Sequence, residues 1–202
     1  MKPILFVDFD GTLCHDRFWR TLPPEQTTKI QTFLFETNRE RVNGWMRGEY
    51  TSEEMTAYVA EHTKIAYEKL WEVFVHDAST MFVEEELLSL ILKLRSKYTT
   101  VLITVNMDSF DRFTSPALNL SQYFDAIVNS FNEKRFKTDE EGAIFIDIAN
   151  AFAADITASI LIDDSEAACE TFKKLGGTAY QVGQPETTKT HLENLLISEN
   201  LP

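Results

Sequence analysis

Pro3-Ile4-Leu5-Phe6-Val7-Asp8-Phe9-Asp10-Gly11-Thr12-Leu13 is the stretch on which the fold turns. The short apolar run Pro3 to Val7 makes residues 2–7 read as a short buried strand that breaks off at Asp8. Asp10-Gly11 then marks a turn. A strand that ends in carboxylates and a turn is the opening move of a parallel sheet, whose ligands sit outside the carboxyl ends of its strands.

Outward from this stretch the chain changes character twice. Over residues 16–80, Leu, Phe, Trp, Met and Tyr recur at helical spacings with polar breaks between them. Thr51 and Glu54 form a capping-box pattern, and Gly44 and Gly48 are expected at turns. This stretch reads as an inserted all-helical domain. After it strands and helices alternate. A helix is expected at 84–98, with Leu87, Leu88, Ile91, Leu92 and Leu94 inward, then a strand at 100–105 and a short helix at 108–118. A strand follows at 124–129, and a capping box at Thr138 to Glu141 opens a helix to about residue 154. A strand at 159–162, a helix at 165–175 stopped by Gly176-Gly177, a strand at 178–182 and a helix at 191–197 complete the series. The alternation predicts an α/β fold with a Rossmann-like parallel sheet. Its core comprises residues 1–14 and 81–202, and the insert 15–80.

Composition narrows the function. The chain has 202 residues, 44% of them hydrophobic, and a net charge of -13. That suffices for one well-buried core plus a small insert. The acidic balance argues against a nucleic-acid polymer as partner, since none of the required basic footprint is visible. A small phosphorylated substrate is compatible, because a metal can supply positive charge locally. No apolar run approaches the roughly 20 residues of a membrane span, and the first residues do not read as a signal peptide. Cys14 and Cys169 are too few for a disulfide framework and fit no zinc spacing, so a reducing, cytoplasmic location is expected.

The polar residues at the strand ends carry the chemistry. Asp8 and Asp10 follow the first strand, Thr104 ends the second, Lys137 follows the third, and Asp163 and Asp164 follow the fourth. All face one rim. A carboxylate can act as a nucleophile that splits one displacement into two. Carboxylates also suit Mg²⁺, which binds through one or two of them plus substrate oxygens. A lysine and a hydroxyl can stabilise the equatorial oxygens of a transferring phosphoryl group.

These strings resemble the motifs of the haloacid dehalogenase (HAD) superfamily of hydrolases. Asp8-Phe9-Asp10-Gly11-Thr12-Leu13 is similar to its first motif, Ile103-Thr104 to its second, Lys137-Thr138-Asp139 to the neighbourhood of its third, and Leu161-Ile162-Asp163-Asp164-Ser165 to its acidic fourth. The resemblance implies a HAD-like core whose insert is a helical cap of the first type. It also implies the phosphatase branch and a phosphoryl-aspartate intermediate. Asp8 would be nucleophile and metal ligand. Asp10 would be acid and base and give its backbone carbonyl to Mg²⁺. Thr104 and Lys137 would bind phosphate, and Asp164 and Asp163 the metal. Thr138 stands where the family commonly has Pro, and Lys134 is the rival lysine.

The function expected from the resemblance is a phosphatase of small phosphomonoesters. A phosphomutase on a sugar phosphate and a non-catalytic binding protein on the same scaffold are the alternatives. A dehalogenase is disfavoured, because that branch lacks the second acid that Asp10 supplies, and Asp16, Arg17 and Arg20 stand where phosphoserine phosphatases of this superfamily carry a Glu. The four histidines have no metal-ligand spacing, and Trp19, Trp45 and Trp71 read as packing residues of the insert. The cap is expected to select substrate, with Arg17, Arg20, Arg39, Arg41 and Arg47 available to an anion.

Overall fold

The computed structural model describes residues 2–197. Five strands, β1 (Ile4–Val7), β2 (Thr99–Thr104), β3 (Ala126–Asn129), β4 (Ile160–Asp163) and β5 (Thr178–Gln181), form one sheet in the order β3-β2-β1-β4-β5. Every pair is parallel. The chain winds outward from β1 to β3, then restarts on the other side of β1 with β4. The strand order therefore reverses between β1 and β4, the place where such sheets form a ligand crevice.

Side-chain alternation sorts β1 between two cores. Leu5 and Val7, with Leu102, Ile160 and Ile162, pack toward α5 (Glu85–Leu94) and α10 (Thr188–Ile197). Ile4 and Phe6, with Val101, Ile103 and Leu161, pack toward α8 (Ala143–Ala151) and α9 (Glu166–Lys174). There Phe6, Phe145 and Phe172 meet edge to face with centroids 4.9–5.5 Å apart, a preferred aromatic geometry.

Between β1 and α5 run α1 (Pro24–Gln31), a π-helical turn (Thr32–Thr37), α2 (Arg39–Met46), α3 (Ser52–Thr63) and α4 (Tyr67–Ser79). Thr51 caps α3 with the full capping box to Glu54. The buried residues of these helices, among them Ile30, Leu34, Val42, Trp45, Val59, Leu70 and Phe74, join the Leu5–Val7 core without a break.

Several local expectations fail for identifiable reasons. Leu92 is 49% exposed and Leu90 is buried instead; at 3.6 residues per turn Leu92 lies past the edge of the inward arc. Gly44 sits inside α2, packed closely against Glu49 and Tyr50, and the turn is at Gly48 alone (φ +71). The short helix expected at 108–118 does form, over residues 108–117, but its middle is π-helical (Phe110–Thr114) and it ends in the single turn α6 (Ser115–Ala117). After β3 comes the short α7 (Ser130–Glu133). No capping box forms at Thr138. Asp139 accepts the Phe136 N–H at 2.8 Å and binds Arg47. Glu140, Glu141 and Gly142 then take positive φ, so the helix begins only at Ala143.

Candidate active site

The site is built at the strand reversal. Val7 pairs with Ile162, and the Asp8 N–H continues the ladder to the Ile162 carbonyl at 3.0 Å. Asp8 and Asp163 are thereby set side by side. The next residues turn back sharply: the Leu13 and Cys14 N–H groups both donate to the Phe9 carbonyl. Gly11 has φ +79, and a Cβ there would lie 2.2 Å from an Asp164 carboxylate oxygen. The glycine thus serves both the left-handed turn and the close approach of Asp164. Thr12 fixes the same junction, its hydroxyl accepting the Asp164 N–H at 3.1 Å.

Lys137 enters from the segment after α7 and is buried with the carboxylates. Its Nζ donates to Asp8 Oδ1 at 2.7 Å and to Asp163 Oδ2 at 2.5 Å. The other Asp163 oxygen accepts the Ser165 N–H at 2.8 Å. Lys134 stays outside, its Nζ 4.6 Å over the Phe131 ring. Asp8, Asp163 and Asp164 each offer one oxygen within 4.8 Å of the others. Asp10 does not belong to that group; its carboxylate accepts from Asn106 Nδ2 at 2.6 Å. Thr104 is buried at the end of β2, its hydroxyl 3.5 Å from the same amide.

Three of these carboxylates are raised, each chiefly by burial. Burial lifts Asp8, to about 8, with Lys137 opposing and Asp163 adding to the rise. Burial also lifts Asp10, to about 6, against the pull of Arg17 and Lys137. Asp164 is raised for the same first cause, with Asp163 second. For Lys137 burial works the other way, but Asp8 and Asp163 outweigh it and hold the ammonium charged above its usual range.

All six residues singled out from the sequence thus lie on one rim. Asn106, which holds Asp10, was not among them. Its position two residues beyond Thr104 is the one sequence signal it carries, and that signal does not separate it from a turn residue. Of the five arginines, Arg20 is tied to the Asp77 and Thr80 carbonyls, Arg47 to Asp139, and Arg41 lies between the rings of Tyr50 and Tyr58. Arg17 and Arg39 line a cavity of about 270 Å³ together with Asp10 and Asp164. A larger groove of about 680 Å³ touches the site at Asp164 but includes neither Asp8 nor Asp10.

No family profile and no curated protein matches this sequence. Solved structures do. A HAD family enzyme from Bacteroides thetaiotaomicron, in complex with magnesium and inorganic phosphate, superposes with a TM-score of 0.69 at 19% identity, over 92% of this chain and 96% of its own. The fold is HAD-like. A predicted HAD-like family hydrolase from Porphyromonas gingivalis gives a TM-score of 0.71 at 18% identity, over 97% of this chain and 98% of its own. L-2-haloacid dehalogenase from Xanthobacter autotrophicus gives 0.66 at 12% identity, over 100% and 85%. This HAD-like architecture thus occurs in a phosphate-bound enzyme and in a dehalogenase alike, and the chemistry has to be argued from the site.

Proposed function

We propose that this chain is a magnesium-dependent phosphohydrolase that cleaves a small phosphomonoester through a phosphoryl-aspartate on Asp8, with residues 15–80 as its cap. The observation that carries this reading is the pairing of two differently placed acids at one strand end. Asp8 is clamped by Lys137, and Asp10 is held apart from it by Asn106. Displacement of a halide needs no proton donor, because halide leaves as a stable anion. An alkoxide does need one, and a second carboxylate raised toward neutrality is suited to supply it.

The donor set fits Mg²⁺: the clustered oxygens of Asp8, Asp163 and Asp164 are hard ligands, and the carboxylates outnumber the single lysine. When bound, the ion would offset the repulsion between carboxylate and phosphate. The bound Mg²⁺ of the Bacteroides enzyme supports the same choice. The chain's own groups then divide the work. A carboxylate oxygen of Asp8 forms a bond to phosphorus as the ester P–O bond breaks. Asp10 gives its proton to the departing oxygen. Lys137 and Thr104 stabilise the equatorial oxygens. In the second step Asp10 takes a proton from water, whose oxygen attacks phosphorus, and phosphate leaves with Asp8 regenerated.

The test is phosphate release from p-nitrophenyl phosphate, which should require Mg²⁺ and stop on chelation. Asp8→Asn should reduce turnover to background while keeping the circular dichroism of the wild type. Substantial turnover in the folded variant would sink the mechanism, as would halide release from 2-chloropropionate in place of phosphate release.

A further inference from the structure

Eight arginines occur in a chain with 32 acidic residues. Five of them, Arg20, Arg47, Arg95, Arg112 and Arg135, pair with carboxylates, and Arg41 is enclosed by Tyr50 and Tyr58. Arg17 and Arg39 have no carboxylate partner among the described residues, and both border the cavity at Asp10. Among the described residues Arg17 donates to the backbone carbonyls of His15 and Asp16 and to no carboxylate, and its charge acts on Asp10 and Asp164 from across the cavity. Arg39 lies 6.0 Å over the ring of Phe35. The nearby acids are engaged elsewhere: Asp16 accepts the Phe82 N–H and pairs with Arg20, while Asp10 and Asp164 belong to the reacting centre. Between the arginines and the acids the wall is largely apolar, with Phe18, Phe35, Met46 and Met107.

We infer that this cavity is a subsite for a second anionic group, and that the substrate is a small phosphomonoester with a carboxylate or second phosphoryl group on a short carbon skeleton. The inference rests on the phosphatase reading and adds the substrate class to it. A guanidinium meets such oxyanions with two parallel hydrogen bonds. The apolar wall fits the carbon skeleton between the two charges, and about 270 Å³ limits that skeleton to a few atoms. Both arginines are exposed at the surface of the insert, so replacing them leaves the core untouched.

The experiment measures calorimetric binding of non-hydrolysable phosphonates to the Mg²⁺-loaded full chain. Propylphosphonate carries one anion; 3-phosphonopropionate and propane-1,3-diphosphonate carry two. At least one dianionic probe should bind about tenfold or more tightly than propylphosphonate, as expected for one charge-assisted contact. Arg17→Gln and Arg39→Gln should each shrink that ratio several-fold, and Arg39→Lys should retain part of it. Equal binding of the three probes, no binding of any, or a preference that survives both glutamine substitutions overturns the subsite. Hydrolysis of p-nitrophenyl phosphate is scored separately. If it fails while the binding preference holds, the phosphatase reading is lost and the anion subsite stands; the converse result removes the subsite alone.

Discussion

At Lys137 one ammonium serves two carboxylates, Asp8 at 2.7 Å and Asp163 at 2.5 Å, in a buried site. Its removal takes away the positive charge that would meet the phosphoryl oxygens. Lys137→Ala should therefore lower kcat/KM by about 100-fold or more, while Lys134→Ala, whose ammonium faces Phe131 and the Gly48 carbonyl, should stay within about twofold. The reverse ranking, read from initial rates of the two variants, would mean that the other lysine serves the phosphate. Asp10 is tested by its leaving group. Asp10→Asn should be slow with alkyl phosphates, which need the proton. With p-nitrophenyl phosphate it should form the intermediate and then stall, because water is no longer deprotonated; a loss of roughly 10²–10⁴-fold is the usual scale. Rapidly quenched intact-protein mass spectrometry should show one added phosphoryl group on Asp8; wild-type turnover, or a phosphoryl group elsewhere, refutes this division of labour. These residues could be named from the sequence because a parallel sheet sends whatever follows its strands to one rim. Asn106 could not be named so easily, since an asparagine after a strand is more often a turn residue, and only its contact with Asp10 gives it meaning.

Among the elements, the turn between α2 and α3 meets the segment after β2 at one buried carboxylate. Asp108 accepts from the Trp45 indole at 3.0 Å, from the Ser52 hydroxyl at 2.6 Å and from Arg112 at 2.8 Å, and the Ser52 N–H at the start of α3 also points to it. Burial alone would raise its pKa, but these donors outweigh burial and hold the carboxyl below its usual range. A carboxyl depressed in the folded state stabilises above its unfolded pKa, near 3.8, and loses that contribution as pH falls through the lower folded value. Asp108→Asn should therefore lower stability by about 2 kcal/mol at neutral pH. In a chain of this length that corresponds to a drop of about 4–8 °C in Tm. The gap between variant and wild type should narrow as pH falls below 3.8. A gap that stays constant to pH 2.5 or so would show that the charge of Asp108 is not what holds the turn. Apart from Arg112, four positions on, nothing in the spacing of Asp108 marks it, because its other partners are 56 and 63 positions away. The failed capping box at Thr138 has the same origin. Local pattern favours a helix there, but Arg47, more than ninety positions distant, draws Asp139 out of line. Lys137 reaches the site regardless, because β3 and α8 fix the two ends of its segment.

For the molecule as a whole, the alternation of strands and helices was readable from residue 84 onward, and each strand was placed to within two residues. The relation of the insert to the sheet was not readable, because it depends on contacts between helices whose order along the chain says nothing of their packing. The buried residues of α1 to α4 run into Leu5, Val7 and Phe110 as one core. Polar ties reinforce the junction: Thr114 donates to the Ala78 carbonyl at 2.9 Å, and Ser130 to the Met46 carbonyl at 2.7 Å. At the foot of the insert Arg20 and Thr21 bind Asp77 and Thr80, so its first and last segments are joined to each other. Any movement of the insert relative to the sheet has to proceed by small displacements that keep this core packed. An apolar core shared in this way also couples unfolding. Losing the insert alone would expose the face of the π-helical turn Phe110–Thr114 that packs against α4, at roughly 25 cal/mol per Å² of apolar surface. The molecule should therefore unfold as one cooperative unit. The three tryptophans, Trp19, Trp45 and Trp71, all lie in the insert, so fluorescence reports on it and on its junction with Asp108 and Phe113. Far-UV circular dichroism also reports α5, α8, α9 and α10. In urea the two signals should fall with a single midpoint and a single slope. If fluorescence is lost at lower urea than circular dichroism, the insert is a separate cooperative unit, and the continuous core does not set the stability of the whole.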